Sequence, residues 1–173
     1  MNLLQTFSQI NTIILDVDGV LTNGSVMIDS TGNYIRTMNI KDGYAIQLAI
    51  KNGYNIFVIT GSQSEYVAKR LQYLGITEIH QSVSDKATTM QLLLKKYAIE
   101  TATTLYIGDD MPDLKAMQLC AINACPADAA IDVVATANYI SPYKGGEGCV
   151  RDVLEKIMKL QGKWSTIHGI SSL

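Results

Sequence analysis

The sequence has no apolar run near the roughly 18 residues that a membrane-spanning helix needs. Positive charge is not in excess either. A net charge of -2 provides no basic field to draw a nucleic acid. Cysteine is scarce: Cys120, Cys125 and Cys149 are odd in number and lack CxxC spacing, so they read as reduced thiols rather than a disulfide framework or zinc site. Residues 1–12 carry no positive charge ahead of their apolar residues and do not read as a signal peptide. There is no internal repeat and no low-complexity linker. These absences predict a cytoplasmic protein without nucleic-acid or membrane partners.

What is present suits a packed globule. Hydrophobic residues make up 47% of the 173 and charged residues 17%. That length predicts a single domain over 1–173, able to bury roughly two-thirds of its unfolded surface. A Ser/Gly-containing tail is expected over 163–173. Short apolar runs at 12–17, 55–60, 104–109 and 120–125, with a weaker one at 78–83, read as strands covered on both faces. Between them lie helical patterns. One is capped by Asp42 and runs through Ala49. A second is capped by Ser64, with Val67, Leu71 and Leu74 on one face. Two more span 86–97 and 147–160. This alternation predicts an α/β fold with a doubly wound, mainly parallel sheet, in which ligands bind at the carboxyl ends of the strands. The stretch 24–37 breaks the alternation. β-prone ends around a turn-prone middle predict a hairpin insert, a candidate lid or contact surface.

Four strand or helix ends carry chemistry. Asp16-Val17-Asp18-Gly19 leaves the first strand, where residues two apart point the same way. One carboxylate can attack phosphorus while the second handles protons. A bare DxD alone reads better as a solvated turn. Thr60-Gly61-Ser62 ends the second long strand and offers a hydroxyl and backbone N–H groups as a phosphate cradle, or an ordinary capped turn. Lys86 stands at a helix start, where the macrodipole disfavours a cation unless an anion is within reach. Gly108-Asp109-Asp110-Met111-Pro112-Asp113 gathers three carboxylates that repel one another unless a cation such as magnesium joins them, the alternative being an acidic helix cap. The order of all four at one sheet edge outweighs the bland reading of each.

This ensemble resembles the haloacid dehalogenase (HAD) superfamily, whose four signature motifs all find a match. The resemblance implies Asp16 as nucleophile and Mg2+ ligand. It implies Asp18 as acid/base, lending its carbonyl to the metal. Thr60, Gly61 and Lys86 would bind phosphate, and Asp109 would ligate the metal. Asp110 and Asp113 would support these groups or reach the metal through water. Asp18 argues against a dehalogenase, which has no need of it. The insert after Asp18 and the spacing from Thr60 to Lys86 leave no room for a large cap. Together with Asn39-Ile40-Lys41-Asp42-Gly43-Tyr44, Gly145-Gly146-Glu147-Gly148 and Gln161-Gly162-Lys163-Trp164, this is similar to the 3-deoxy-D-manno-octulosonate 8-phosphate (KDO 8-phosphate) phosphatase family, over about 12–164.

That likeness implies a homotetramer with its hairpins at the centre and a small phosphorylated acidic sugar as substrate. It also implies a glycine-rich flap at 145–148 over a neighbour's site. A basic residue is expected where Ser62 stands, which leaves Lys41, Arg70 and Lys144 as further candidates for the sugar carboxylate and Gly145 and Gly146 for the flap. Acylneuraminate or deaminoneuraminate 9-phosphates are the alternative substrates. A non-catalytic assembly domain of the same fold is the alternative of another class.

Overall fold

The computed structural model describes residues 2–165. A short α1 (Leu3–Phe7) leads into β1 (Thr12–Leu15), and a hairpin of β2 (Met27–Ile28) and β3 (Tyr34–Ile35) follows. Then come α2 (Ile40–Lys51), β4 (Asn55–Ile59), α3 (Glu65–Tyr73), β5 (Glu78–His80) and α4 (Lys86–Lys96). The chain finishes with β6 (Thr104–Ile107), α5 (Leu114–Met117), β7 (Ile122–Cys125), α6 (Ile131–Thr136), β8 (Tyr139–Ile140) and α7 (Cys149–Leu160). Six strands form one sheet in the order β5-β4-β1-β6-β7-β8. Every pairing in it is parallel.

The strands read as continuous apolar runs because the sheet is covered on both faces. Alternate residues serve two separate cores. Ile13 and Leu15 of β1, Ile56 and Val58 of β4 and Leu105 and Ile107 of β6 pack with α2 and α7. Ile14, Phe57, Ile59 and Tyr106 face the other way, against Met90, Leu93 and Leu94 of α4 and Ala116 and Met117 of α5. The result is the expected doubly wound α/β sandwich. β1, at its centre, has all four residues buried.

Several boundaries differ from expectation. Helix α2 starts before Asp42: Asn39 caps it by accepting from the Lys41 N–H at 2.8 Å. Asp42 is buried and instead accepts from the Arg151 N–H at 2.7 Å, capping the first turn of α7 from a neighbouring helix. Helix α7 begins at Cys149, because Gly146 and Gly148 hold left-handed φ values of 67° and 112° that a helix cannot include. Strand β5 stops at His80, and the chain then turns over the Thr60 loop, with Val83 N–H donating to the Thr60 carbonyl at 3.1 Å. The strands at Thr12 and Ile122 are likewise shorter than the apolar runs that announce them. The hairpin pairs only Met27 with Ile35 and Ile28 with Tyr34. Of the expected tail, Trp164 packs edge-on to Tyr44 with ring centroids 6.4 Å apart. Residues 166–173 lie outside the described part. Among the described residues, no helix is long and apolar enough to cross a membrane.

Candidate active site

The carboxyl ends of β1, β4 and β6 meet above the sheet. Their register aligns Leu15 with Val58 and Ile107, so Asp16, Thr60 and Gly108-Asp109 emerge at one edge. Asp16, Thr60 and Asp109 line a cavity of about 460 Å3 together with Asp18, Gly61, Ser62, Lys86 and Asp113. The residues read from the four motifs are therefore brought together. Asp110 is also on this rim. Its side chain accepts from the Met111 N–H at 2.8 Å and caps a 3-10 turn over Met111–Asp113.

Lys86 ties the floor together. Its buried ammonium lies 3.0 Å from Asp16 Oδ2 and 2.7 Å from Asp113 Oδ1. The misfit of a cation at a helix start is thus resolved by two carboxylates directly ahead of it. Asp113 is the brace. Its Oδ1 also accepts from the Tyr106 hydroxyl at 2.9 Å, and its Oδ2 from the Asp109 N–H at 3.2 Å. Both Asp113 oxygens are thereby engaged within the protein. Tyr106 looks in the sequence like one more apolar strand residue. Its hydroxyl, in a fully buried position, was the available sign of a polar partner.

Asp16 and Asp109 are held differently. Asp16 Oδ1 and Asp109 Oδ1 are buried without a hydrogen-bond partner. Carboxylate oxygens of Asp16, Asp109 and Asp113 all lie within 4.8 Å of one another. Burial, then repulsion from Asp113, pushes Asp16 up to about 6 in spite of Lys86. Burial, then repulsion from Asp16, Asp113 and Asp110, pushes Asp109 up to about 7. Buried anionic oxygens with no donor are unfavourable unless something cationic meets them. An all-oxygen donor set fits a hard divalent cation such as Mg2+. Asp16 and Asp109 offer the open oxygens, whereas Asp113 has none spare. Gly19 and Gly108 are required by this crowding. A Cβ on Gly19 would fall 2.0 Å from Asp109 Oδ2, and one on Gly108 would fall 2.5 Å from Asp113 Cβ.

Asp18 has a partner that the sequence reading missed. Arg36, just after β3, reaches back with Nε 2.6 Å from Asp18 Oδ1 and Nη2 3.1 Å from Asp18 Oδ2. Burial works to raise the Asp18 carboxyl, and hydrogen bonds from Arg36 and Ser62 overcome it, leaving the group below the ordinary carboxylate value. Nothing local in the sequence announces a contact across 18 positions from an exposed hairpin.

The further substrate candidates are dispersed. Lys41 lines a separate cavity beside Arg151 and Lys159. Arg70 lines one beside Arg36 and Tyr66. Lys144 is exposed on the loop before α7. Gly145 and Gly146 lie against the Gly19–Asn23 turn of their own chain. Gly146 N–H donates to the Val20 carbonyl at 2.9 Å, and a Cβ on Gly145 would lie 1.9 Å from the Gly19 carbonyl oxygen. The glycines allow this loop to seal against the Asp18–Asn23 turn from behind.

Comparison with known proteins agrees with this geometry. The profile of a family described as haloacid dehalogenase-like hydrolase matches residues 72–153. The chain is 35% identical to the 3-deoxy-D-manno-octulosonate 8-phosphate phosphatase of Escherichia coli (strain K12), over 94% of this chain and 86% of that one. Its fold superposes with a TM-score of 0.90 on the Moraxella catarrhalis 3-deoxy-D-manno-octulosonate 8-phosphate phosphatase crystallised with magnesium, phosphate and KDO, at 35% identity over 93% of this chain and 92% of that one. The cobalt-bound phosphatase of Haemophilus influenzae gives 0.88, at 32% identity over 91% and 92%.

Proposed function

The chain belongs to the 3-deoxy-D-manno-octulosonate 8-phosphate phosphatase family of haloacid dehalogenase-like hydrolases, and from that premise we propose that it hydrolyses KDO 8-phosphate through an aspartyl-phosphate on Asp16. The observation that carries this reading is the buried Asp16–Lys86–Asp113 chain beside two carboxylate oxygens that lack any donor.

Asp16 is the nucleophile. Lys86 orients it and offsets charge on the incoming phosphoryl group, while Thr60 and the backbone at Gly61 receive phosphoryl oxygens. Asp18, which must be protonated and clear of Arg36 for this step, delivers a proton to the sugar oxygen as its bond to phosphorus breaks. It then takes one from the water that attacks the aspartyl-phosphate, returning free Asp16 and inorganic phosphate. Asp110 and Asp113 hold the Gly108–Asp113 loop in place. The cofactor is Mg2+: Asp16, Asp109 and the Asp18 carbonyl would hold it, and it supplies charge neutralisation for the phosphoryl oxygens.

We read the whole chain as one catalytic domain that works as a homotetramer. Support for assembly comes from the hairpin, whose Met27 and Ile28 are 69% and 64% exposed beside exposed Tyr34 and Ile35. Sedimentation of the wild type and of Ile28→Asp tests this, since a tetramer seated on the hairpin dissociates in the variant.

The deciding experiment is phosphate release from KDO 8-phosphate, N-acetylneuraminate 9-phosphate, deaminoneuraminate 9-phosphate and hexose phosphates, with and without magnesium. Magnesium-dependent selectivity for KDO 8-phosphate is expected. Selectivity for a nine-carbon acid would move the substrate and keep the mechanism. Release indifferent to magnesium would overturn the mechanism.

A further inference from the structure

The Arg36 guanidinium stands between two cavities. Its Nε and Nη2 grip Asp18 at the rim of the catalytic cleft. Arg36 also lines a second cavity of about 440 Å3, bounded by Ser64, Tyr66 and Arg70. The side chain is only 6% exposed, and its Nη1 is buried with no hydrogen-bond partner. A guanidinium is a planar fork, and its Nε–Nη2 edge takes one carboxylate at a time in two-pronged contact. Here the fork is spent on a side chain whose work lies at the substrate. Asp18, by contrast, is 33% exposed, and besides Arg36 it has a hydrogen bond from Ser62 and a 3.4 Å contact to Thr22. Swapping one carboxylate for another on the same fork keeps the ion pair in kind and number.

We propose that Arg36 is a specificity residue for acid sugars: it exchanges the Asp18 carboxylate for the carboxylate of the bound sugar and so frees Asp18 to reach the leaving oxygen. A sugar phosphate without a carboxylate leaves Arg36 on Asp18 and reacts slowly. Discrimination thus arises from a restraint that only an anionic sugar relieves, in addition to any direct attraction. The inference rests on the phosphatase reading above.

The test is steady-state phosphate release with magnesium by the wild type, Arg36→Met and Arg36→Lys, on KDO 8-phosphate and on glucose 6-phosphate. Both substrates expel an alkoxide, and only the first carries a carboxylate. For Arg36→Met, kcat/KM on KDO 8-phosphate falls roughly 10- to 100-fold, the worth of a charged hydrogen-bonded contact. On glucose 6-phosphate it rises about threefold, the scale of a partly exposed ion pair released. Arg36→Lys, which keeps the charge without the fork, lies between on both substrates. A fall on both substrates, or no change on either, overturns the exchange. Equal melting temperatures for the three proteins exclude misfolding as the source of a loss. A wild type that releases phosphate from neither substrate overturns the phosphatase reading itself, before any variant is compared.

Discussion

The two aspartates that leave β1 are restrained by different parts of the molecule. Asp16 is fixed from below by Lys86, Asp113 and Tyr106, all buried and carried by α4, the Asp113 turn and β6. Asp18 is fixed from the side by Arg36, at the root of a hairpin that belongs to no other sheet. The first arrangement is embedded in the core that stabilises the fold. The second hangs on an insert with exposed apolar side chains. Damage to the Asp16 side should therefore reach stability and chemistry together, whereas damage to the Asp18 side should fall on chemistry alone.

The largest effect is expected from Asp16→Asn. Loss of the attacking oxygen should lower kcat by roughly 10^4-fold or more while the fold survives. Residual activity near wild type in a protein freed of contaminating phosphatase would end the covalent mechanism. Next is Lys86→Met. Removing the shared cation leaves Asp16 and Asp113 buried without it, a loss of about 3–5 kcal/mol by denaturant titration in chelator. If Lys86→Met instead matches an Arg36→Met variant in stability, the contrast between the two sides disappears.

The sequence exposed the core side better than the hairpin side, for physical reasons. Strands buried on both faces leave long apolar runs, so Ile13-Ile14-Leu15 and Leu105-Tyr106-Ile107 were visible, as were the acids at their ends. Lys86 stood out because it contradicts its helix position. Tyr106 hid because a hydroxyl adds little to the outline of an aromatic core residue. Arg36 hid because an exposed hairpin has no periodicity that points to a partner. Asp42 was misread as a cap for its own helix because Asn39 takes that place, and the helix it does cap lies more than a hundred residues later. Edge strand β8 and helix α6 were missed because two exposed or half-exposed residues and one short turn carry too little pattern.

Magnesium should distinguish the two sides by pH. Asp16 and Asp109 have folded pKa values of about 6 and about 7, both above the ordinary carboxylate value. The folded chain therefore binds their protons more tightly than the unfolded chain. Their contribution to metal-free stability declines as pH rises from about 4 through about 7. Magnesium needs both groups deprotonated, so its affinity rises over the same range. Between pH 5 and pH 8 the metal-free melting temperature should fall, and the gap opened by magnesium should widen. At a hundred times its Kd the ion contributes about 2.7 kcal/mol, roughly 5–10 °C for a chain of this size. Asp18 lies below the ordinary value and should not contribute in that window. A magnesium shift that is constant from pH 5 to pH 8 would remove Asp16 and Asp109 as its ligands.

Tyr106→Phe sharpens the contrast most finely, because it deletes one oxygen from the brace and leaves the ring. The hydroxyl donates to Asp113 Oδ1 at 2.9 Å, and that same oxygen keeps the Lys86 ammonium at 2.7 Å. No acceptor is stranded, so the loss should be near a single net hydrogen bond, about 1 kcal/mol. Asp113 Oδ2 also keeps the Asp109 N–H, which holds the carboxylate in place without Tyr106. If the core side is over-determined in this way, kcat should drop by less than about threefold, as expected when no reacting group moves. A tenfold fall with an unchanged melting temperature would mean that Tyr106 sets the position of Lys86 against Asp16, and that the core side is as finely poised as the hairpin side.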